Sequence, residues 1–376
     1  MDLAIQKREN DLVIATFGRG FYILEDYSPL RGLSTSKLET QALIFPIKPA
    51  LAYVQSRIKY GQGSTYYTNP NPPVGAVFTW YLKDTPKTFR KQRKEQEKEL
   101  WKKKKDIDYP PYERLKAEDE EEKPYLEFTI KDAQGQVIRR LREKPSQGIN
   151  RKVWDLRYPA MFPVRAGSNE FADAGSAMLV PPGIYQVEMS LVVRDSIRHL
   201  AGPVRFEVRS LKNEQLTPEA MAKYQAFHRR FQETARVVMG AFQIADDLES
   251  RLRSLKNAVD LTPAAPYELR LNIKTLQKEL SNIQIAFKGD EGLSKRNENQ
   301  PPSLRDRLNN LVYSHWSSTS APTNTMIRDH EIILEVFTPL YERLKKLNNE
   351  QIPVIETQLE ALGAPYTPGR WPEIKN

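Results

Sequence analysis

The hydrophobic pattern of this chain changes period once, between residues 209 and 217, and that change limits the fold more than any single motif. Upstream, GAVFTWYL (75–82) and YLEFTIKDAQGQVIRRL (125–141) alternate apolar and polar residues, the period of a half-buried strand. Asp132-Ala133-Gln134-Gly135 supplies a hairpin turn inside the second stretch. ALIFPIKPALAY, GINRKVWDLRY, PPGIYQVEMSLVV and PVRFEVR add further short strands, so seven or so strands predict a β-sandwich over 41–210. Downstream, Tyr224, Phe227, Phe231, Ala235, Val238, Phe242, Ala245, Leu248, Leu252 and Leu255 recur every three or four residues. Thr217 reads as the N-cap and Pro218 as the first turn of this long helix. A second helix follows over about 267–287, with shorter ones near 303–312 and 324–348, the last continued by 351–362. Breaks at LTPAAP, KGDEG and QPP separate them, which predicts an antiparallel helical bundle over 215–362 and a tail at 363–376.

The first residues belong to neither pattern. Leu3-Ala4-Ile5, Leu12 to Thr16 and Phe21 to Leu24 are short apolar runs separated by a polar turn and by Gly18-Arg19-Gly20. They predict a three-stranded meander over 1–36. Such a sheet is too small to hold a core of its own and needs neighbours, as a propeller blade does.

Composition narrows the function. Apolar residues make up 39%, charged residues 28% and aromatics 10%, a folded rather than disordered balance. The net charge of +9 invites a nucleic-acid reading, but much of it lies in KTFRKQRKEQEKELWKKKK (87–105), beside the acidic run Glu118 to Glu122. These opposite blocks read as a solvated helical insertion at 87–123, pairing with itself or with a partner. No run of eighteen apolar residues occurs, and no charged-then-apolar secretory pattern is visible. With no cysteine, disulfides, thiolate metal sites and thiol nucleophiles are excluded. Cysteine avoidance also suits an oxidising, extracytoplasmic setting.

Two segments carry a family resemblance. NDLVIATFGRGFYILEDYSPLR resembles the closing repeat of bacterial sortilin-type β-propellers, the BNR-repeat or glycosyl-hydrolase-like proteins. It matches their repeat at Asn10, Asp11, Leu12, Val13, Thr16, Gly18, Arg19, Gly20, Leu24, Asp26, Pro29, Leu30 and Arg31. It departs at Phe17, where His is common, and at Glu25, where Asp is common. The resemblance implies that the rest of a propeller lies upstream or on another chain. The second segment is similar to the Ig-like module of flagellar hook-capping proteins. Its motif residues are Asp132, Gly135, Val137 and Arg139, then Gly148, Asn150, Trp154 and Asp155, then Pro181, Gly183 and Tyr185. The propeller family places such a module, and then a helical tail, in the same order. The expected architecture is therefore mixed and multi-domain: terminal blade strands, an Ig-like β-sandwich with a charged helical insertion, and a helical bundle.

The residues themselves offer little chemistry. Of His199, His228, His315 and His330, none is spaced i, i+4 from another, and His228 and His330 read as surface residues among charged neighbours. No phosphate-cradling loop, nucleophile elbow or dinucleotide fingerprint occurs. Asp246, Asp247 and Glu249 share a predicted helix, where neighbouring positions point apart, unlike the paired acids of a glycosidase. Arg19 between its glycines reads as part of a tight turn, and Trp154 with Asp155 as a core ring and a turn cap. Tyr66-Tyr67 and Trp80-Tyr81 read as packing or interface aromatics. No catalytic, cofactor-binding or metal-binding residue is expected, and no cofactor.

The expected function is a non-catalytic interaction or scaffolding module of an exported bacterial protein. Its partner would be a protein carrying the remaining propeller. Trp101, Lys102, Lys103, Lys104 and Lys105 are the candidate contact, because an exposed Trp in a Lys-rich helix suits an interface anchor. Two alternatives stand beside this. One is the accessory region of a glycoside hydrolase whose acids lie in the missing blades. The other is nucleic-acid binding through the Lys-rich insertion, which the adjacent acids and the lack of a stacking platform disfavour.

Overall fold

A computed structural model describes residues 2–55, 71–160, 163–164, 176–211, 217–316, 318 and 320–374. Tyr66 and Tyr67 lie outside these residues. The protein is a mixed α and β structure that divides into two compact units, one of residues 1–159 and 167–215, the other of 160–166 and 216–376. No helix among the described residues is long and apolar enough to cross a membrane.

The first unit opens with β1 (Asp2–Gln6), β2 (Asp11–Ala15) and β3 (Phe21–Leu24), an antiparallel meander. Two short helices, α1 (Ser28–Arg31) and α2 (Thr35–Glu39), lead from it to β4 (Ala42–Ile44), β5 (Ala50–Ala52) and β6 (Ala76–Leu82). The charged insertion forms α3 (Phe89–Lys102) and α4 (Tyr112–Glu120). The chain continues through β7 (Tyr125–Asp132), β8 (Val137–Glu143), β9 (Gly148–Trp154), β10 (Arg157–Pro159), β11 (Ser176–Leu179), β12 (Gly183–Val193) and β13 (Ser196–Ser210). Besides the meander and the β10-β11 pair, the described residues form two sheets, ordered β5-β13-β12-β7-β8 and β4-β6-β9, and the strands curl as half of a barrel. Among the described residues all pairings are antiparallel except that of β5 with β13.

Alternation explains why these strands bury one face. On β7, Leu126, Phe128 and Ile130 are fully buried, while Glu127, Thr129 and Lys131 between them are not. Rings of the two sheets meet in the middle. Trp80 lies 4.8 Å from Phe128, Phe78 lies 5.5 Å from Phe206, and Trp154 meets Tyr185 edge-on at 5.6 Å. Gly75 allows this closure. At φ +134° its backbone passes so near Trp154 that a Cβ would stand 2.0 Å from the Trp154 carbonyl oxygen.

The second unit is helical: α5 (Pro218–Leu261), α6 (Tyr267–Lys288), α7 (Glu291–Lys295), α8 (Leu304–Trp316), α9 (Asn324–Lys346) and α10 (Ile352–Ala361). The Thr217 hydroxyl accepts from the Ala220 amide and caps α5. α9 and α10 are joined without a break by one π-helical turn, Leu347–Gln351. Beside that turn, Arg251 of α5 holds Glu356 of α10 in a bidentate pair at 2.7 and 2.6 Å.

The reading of His228 and His330 as surface residues is overturned. Both are buried, at 2% and 3% exposure, and so is His315 at 1%. They gather where α5, α8 and α9 meet, around Tyr224 and Phe227, with the His228 and His315 rings 6.0 Å apart. His330 Nε2 shares a 2.8 Å hydrogen bond with the Thr234 hydroxyl. Burial is the main cause that pushes His228 down to about 3 and His315 to about 4. His330 is also lowered by burial, with Arg230 adding to the shift and Glu331 opposing it. No His or carboxylate grouping suited to a metal ion occurs among the described residues.

Depressed histidine pKa values mean that the folded state favours the neutral rings. Their contribution to stability is complete above the ordinary value of 6.5 and is lost as pH falls from there towards 4 and 3. At pH 5, His228 and His315 should each cost about 2 kcal/mol of stability relative to pH 7. Urea unfolding followed by helical circular dichroism at pH 7 and 5 measures this, and His315→Phe should flatten the pH dependence. An unchanged midpoint between the two pH values would contradict the buried, neutral cluster.

Candidate interaction surfaces

The cross-strand register of the meander sets its surface chemistry. Leu3 stands opposite Ile14 and Ile14 opposite Tyr22; Ile5 stands opposite Leu12 and Leu12 opposite Leu24. Opposed residues share a face, so Leu3, Ile5, Leu12, Ile14, Tyr22 and Leu24 line one side. Ala4, Val13, Ala15, Phe21 and Ile23 line the other, with Asp2 at one corner and Gln6 opposite Asp11 at the tethered end. Over its centre this sheet is apolar on both sides, unlike the alternating β7. Neither side is covered: Leu3 is 64% exposed, Phe21 78% and Ile23 60%. The edges β1 and β3 have no further strand among the described residues.

The hydrogen bonds that tether the sheet among the described residues gather at one end. Arg151 of β9 donates to the carbonyls of Glu25 and Asp26 at 2.7 and 2.6 Å. Lys48 holds the carboxylate and the carbonyl of Glu9, and this ion pair keeps the Glu9 carboxyl below its ordinary value. Asp26, at φ +41°, donates its amide to the Asp11 carboxylate and accepts from the Ser28 hydroxyl at 2.6 Å. Gly18, Arg19 and Gly20 form the turn at the free end. The glycines take φ +75° and +81°, and Thr16 closes the turn on the Gly20 carbonyl through its amide and its hydroxyl. Arg19 is exposed.

The remaining motif residues lie in and beside the aromatic core. Trp154 is fully buried and donates its indole N–H to the Arg157 carbonyl at 3.0 Å. Asp155 accepts from the Arg157 amide and from Arg139, whose buried guanidinium also bonds the carbonyls of Arg157 and Tyr158. The Asn150 amide group donates to the carbonyls of Ser146 and Gly148. The Tyr185 hydroxyl donates to Pro181, two residues before the exposed Gly183. All of these bonds stay within the fold, and each accounts for its residue without a ligand.

The charged arm is the second surface. α3 buries none of its residues, and α4 buries only Glu118. Arg93 grips Glu118 with two bonds of 2.7 and 2.8 Å and Glu97 with a third. These bonds raise the guanidinium pKa and lower that of the Glu118 carboxyl. At the base, Glu121 binds Arg194 and the Phe89 amide, and the Arg194 guanidinium lies 3.6 Å above the Phe89 ring.

The expected self-pairing of the insertion therefore exists, but it does not neutralise the arm. Arg90, Lys91, Lys94, Lys98, Lys103, Lys104 and Lys105 have no ion-pair partner among the described residues. Trp101 stands 75% exposed beside Lys102 to Lys105. Tyr109 and Tyr112, 86% and 72% exposed, flank the same tip and were not singled out by sequence pattern.

Glu118→Gln should loosen the arm alone. Amide exchange in α3 and α4 should accelerate about tenfold, as expected for one lost charge-assisted bond. The global unfolding midpoint should stay unchanged, because the arm contributes almost nothing to the core; a lowered midpoint would place the arm within the cooperative fold. Compared with known proteins, the chain matches no family model, no curated protein and no solved structure.

Proposed function

We propose that this chain is a non-catalytic interaction module whose meander completes a β-structure supplied by a protein partner or by a further segment of the same protein. One observation carries the reading: the sheet β1-β2-β3 is apolar over the centre of both faces, and both faces are open. A sheet facing core on one side and water on the other alternates polar with apolar, whereas a sheet between two neighbours does not. A propeller blade has two such neighbours. The reading accordingly takes the meander as closing-blade strands of a sortilin-type propeller, the aromatic-centred strands as an Ig-like sandwich, and the second unit as a helical bundle. An extracytoplasmic setting belongs to the same reading, supported by the complete lack of cysteine.

Phe21 and Tyr22 point to opposite faces, so a photo-crosslinking residue at each position tests the proposal in the producing organism. Both sites should capture the same β-rich partner, and Tyr22→Ala should weaken the purified complex by about thirtyfold, near 2 kcal/mol. Products confined to the chain itself, or to one face only, would overturn the two-sided docking.

A further inference from the structure

We propose that the α3–α4 arm docks on an anionic lipid bilayer, with its free cations on the phosphates and the Trp101, Tyr109 and Tyr112 rings in the interfacial layer. This goes beyond the meander reading and does not depend on it.

Three observations converge. First, two of the five acids at the root of the arm are committed inward, Glu118 to Arg93 and Glu121 to Arg194, while Asp119, Glu120 and Glu122 stay exposed at the α4 end. Arg90, Lys91, Lys94 and Lys98 form a basic stripe along α3 without ion-pair partners among the described residues, lining a shallow groove with Thr88 and Glu95. Second, the stripe runs into Lys102 to Lys105 at the tip, where Trp101, Ile107, Tyr109 and Tyr112 are all exposed. Third, α3 has no fully buried residue, and the Phe89 ring under Arg194 holds this 14-residue helix at its base, leaving the rest to charged contacts.

Charge and shape together favour a bilayer as occupant. The exposed rings are separated by Lys, Asp and Pro rather than joined in one apolar patch, so they do not form the continuous desolvated centre of a protein hot spot. Trp and Tyr prefer a boundary with one wet and one apolar side, and Lys reaches phosphates while its stem lies against acyl chains. Lysines near an anionic surface each strengthen attraction to it. Asp106, Asp108 and Glu113 share the tip and reduce its positive charge. Docking therefore engages the α3 side as well as the tip.

The test uses the full chain and vesicles of phosphatidylcholine, either pure or containing about a third phosphatidylglycerol. Co-sedimentation should occur with the anionic vesicles only and fade at high salt. Changing Lys102, Lys103, Lys104 and Lys105 together to Gln should weaken it roughly a hundredfold or more. Changing Lys274, Lys278, Lys345 and Lys346 to Gln, an equal charge loss in the helical unit, should leave binding intact. Brominated lipids should quench tryptophan emission in the native chain and not in Trp101→Phe, although exposed Trp371 remains. No binding to anionic vesicles at low salt would overturn the proposal, as would equal losses in both Lys variants or quenching that persists in Trp101→Phe. A mass that doubles without lipid and returns to one chain in the arm variant would also overturn it, in favour of a second copy as occupant.

Discussion

A β-sheet has two faces, and each apolar face must be covered. That constraint separates the strands of the first unit into two kinds. The five-stranded and three-stranded sheets meet it themselves by turning Phe78, Trp80, Phe128 and Phe206 towards one another. The meander leaves it unmet, because its register places Leu3, Ile14 and Tyr22 on one side and Val13, Phe21 and Ile23 on the other. A lone three-stranded ribbon of this composition has little to stabilise it beyond its ladder bonds. What fixes its place within the unit is polar, Arg151 on two carbonyls and Lys48 on Glu9, while Asp26 on Asp11 and Ser28 closes its own end.

The two proposed surfaces differ in kind. The meander offers apolar area and unpaired strand edges, which suit another β-structure. The arm offers dispersed charge and isolated rings on helices without a core. Neither relies on a cavity or a reactive group, in keeping with a chain in which the motif residues Asn150, Trp154, Asp155 and Tyr185 spend their polar atoms on neighbouring backbone.

Much of the secondary structure was legible because period two and period three-to-four leave different marks, and Asp132 to Gly135 announced its hairpin. The two buried histidines were not legible from adjacent residues. Arg229 and Arg230 beside His228, and Asp329 and Glu331 beside His330, suggested a wet surface, yet adjacent helical positions point in different directions. The informative neighbours were three and four residues away: Tyr224 and Phe231 for His228, Ile333 for His330. The two-sided character of the meander was hidden for a related reason. Its apolar runs were visible, but which residues share a face depends on a register set by its turns. The parallel pairing of β5 with β13 joins residues far apart in sequence and leaves no local signal at all.

The Arg151 contact also has a mechanical side. Its guanidinium ties the end of the meander to β9, three residues before the buried Trp154 that packs against Tyr185 and Phe206. Force on a docked meander thus has side-chain routes into the first unit through Arg151 and through Lys48 on Glu9, beside the covalent route through the α1–α2 segment. Of these, the Arg151 route alone enters the strand that carries Trp154, so a pull on the meander is felt directly beside the aromatic core.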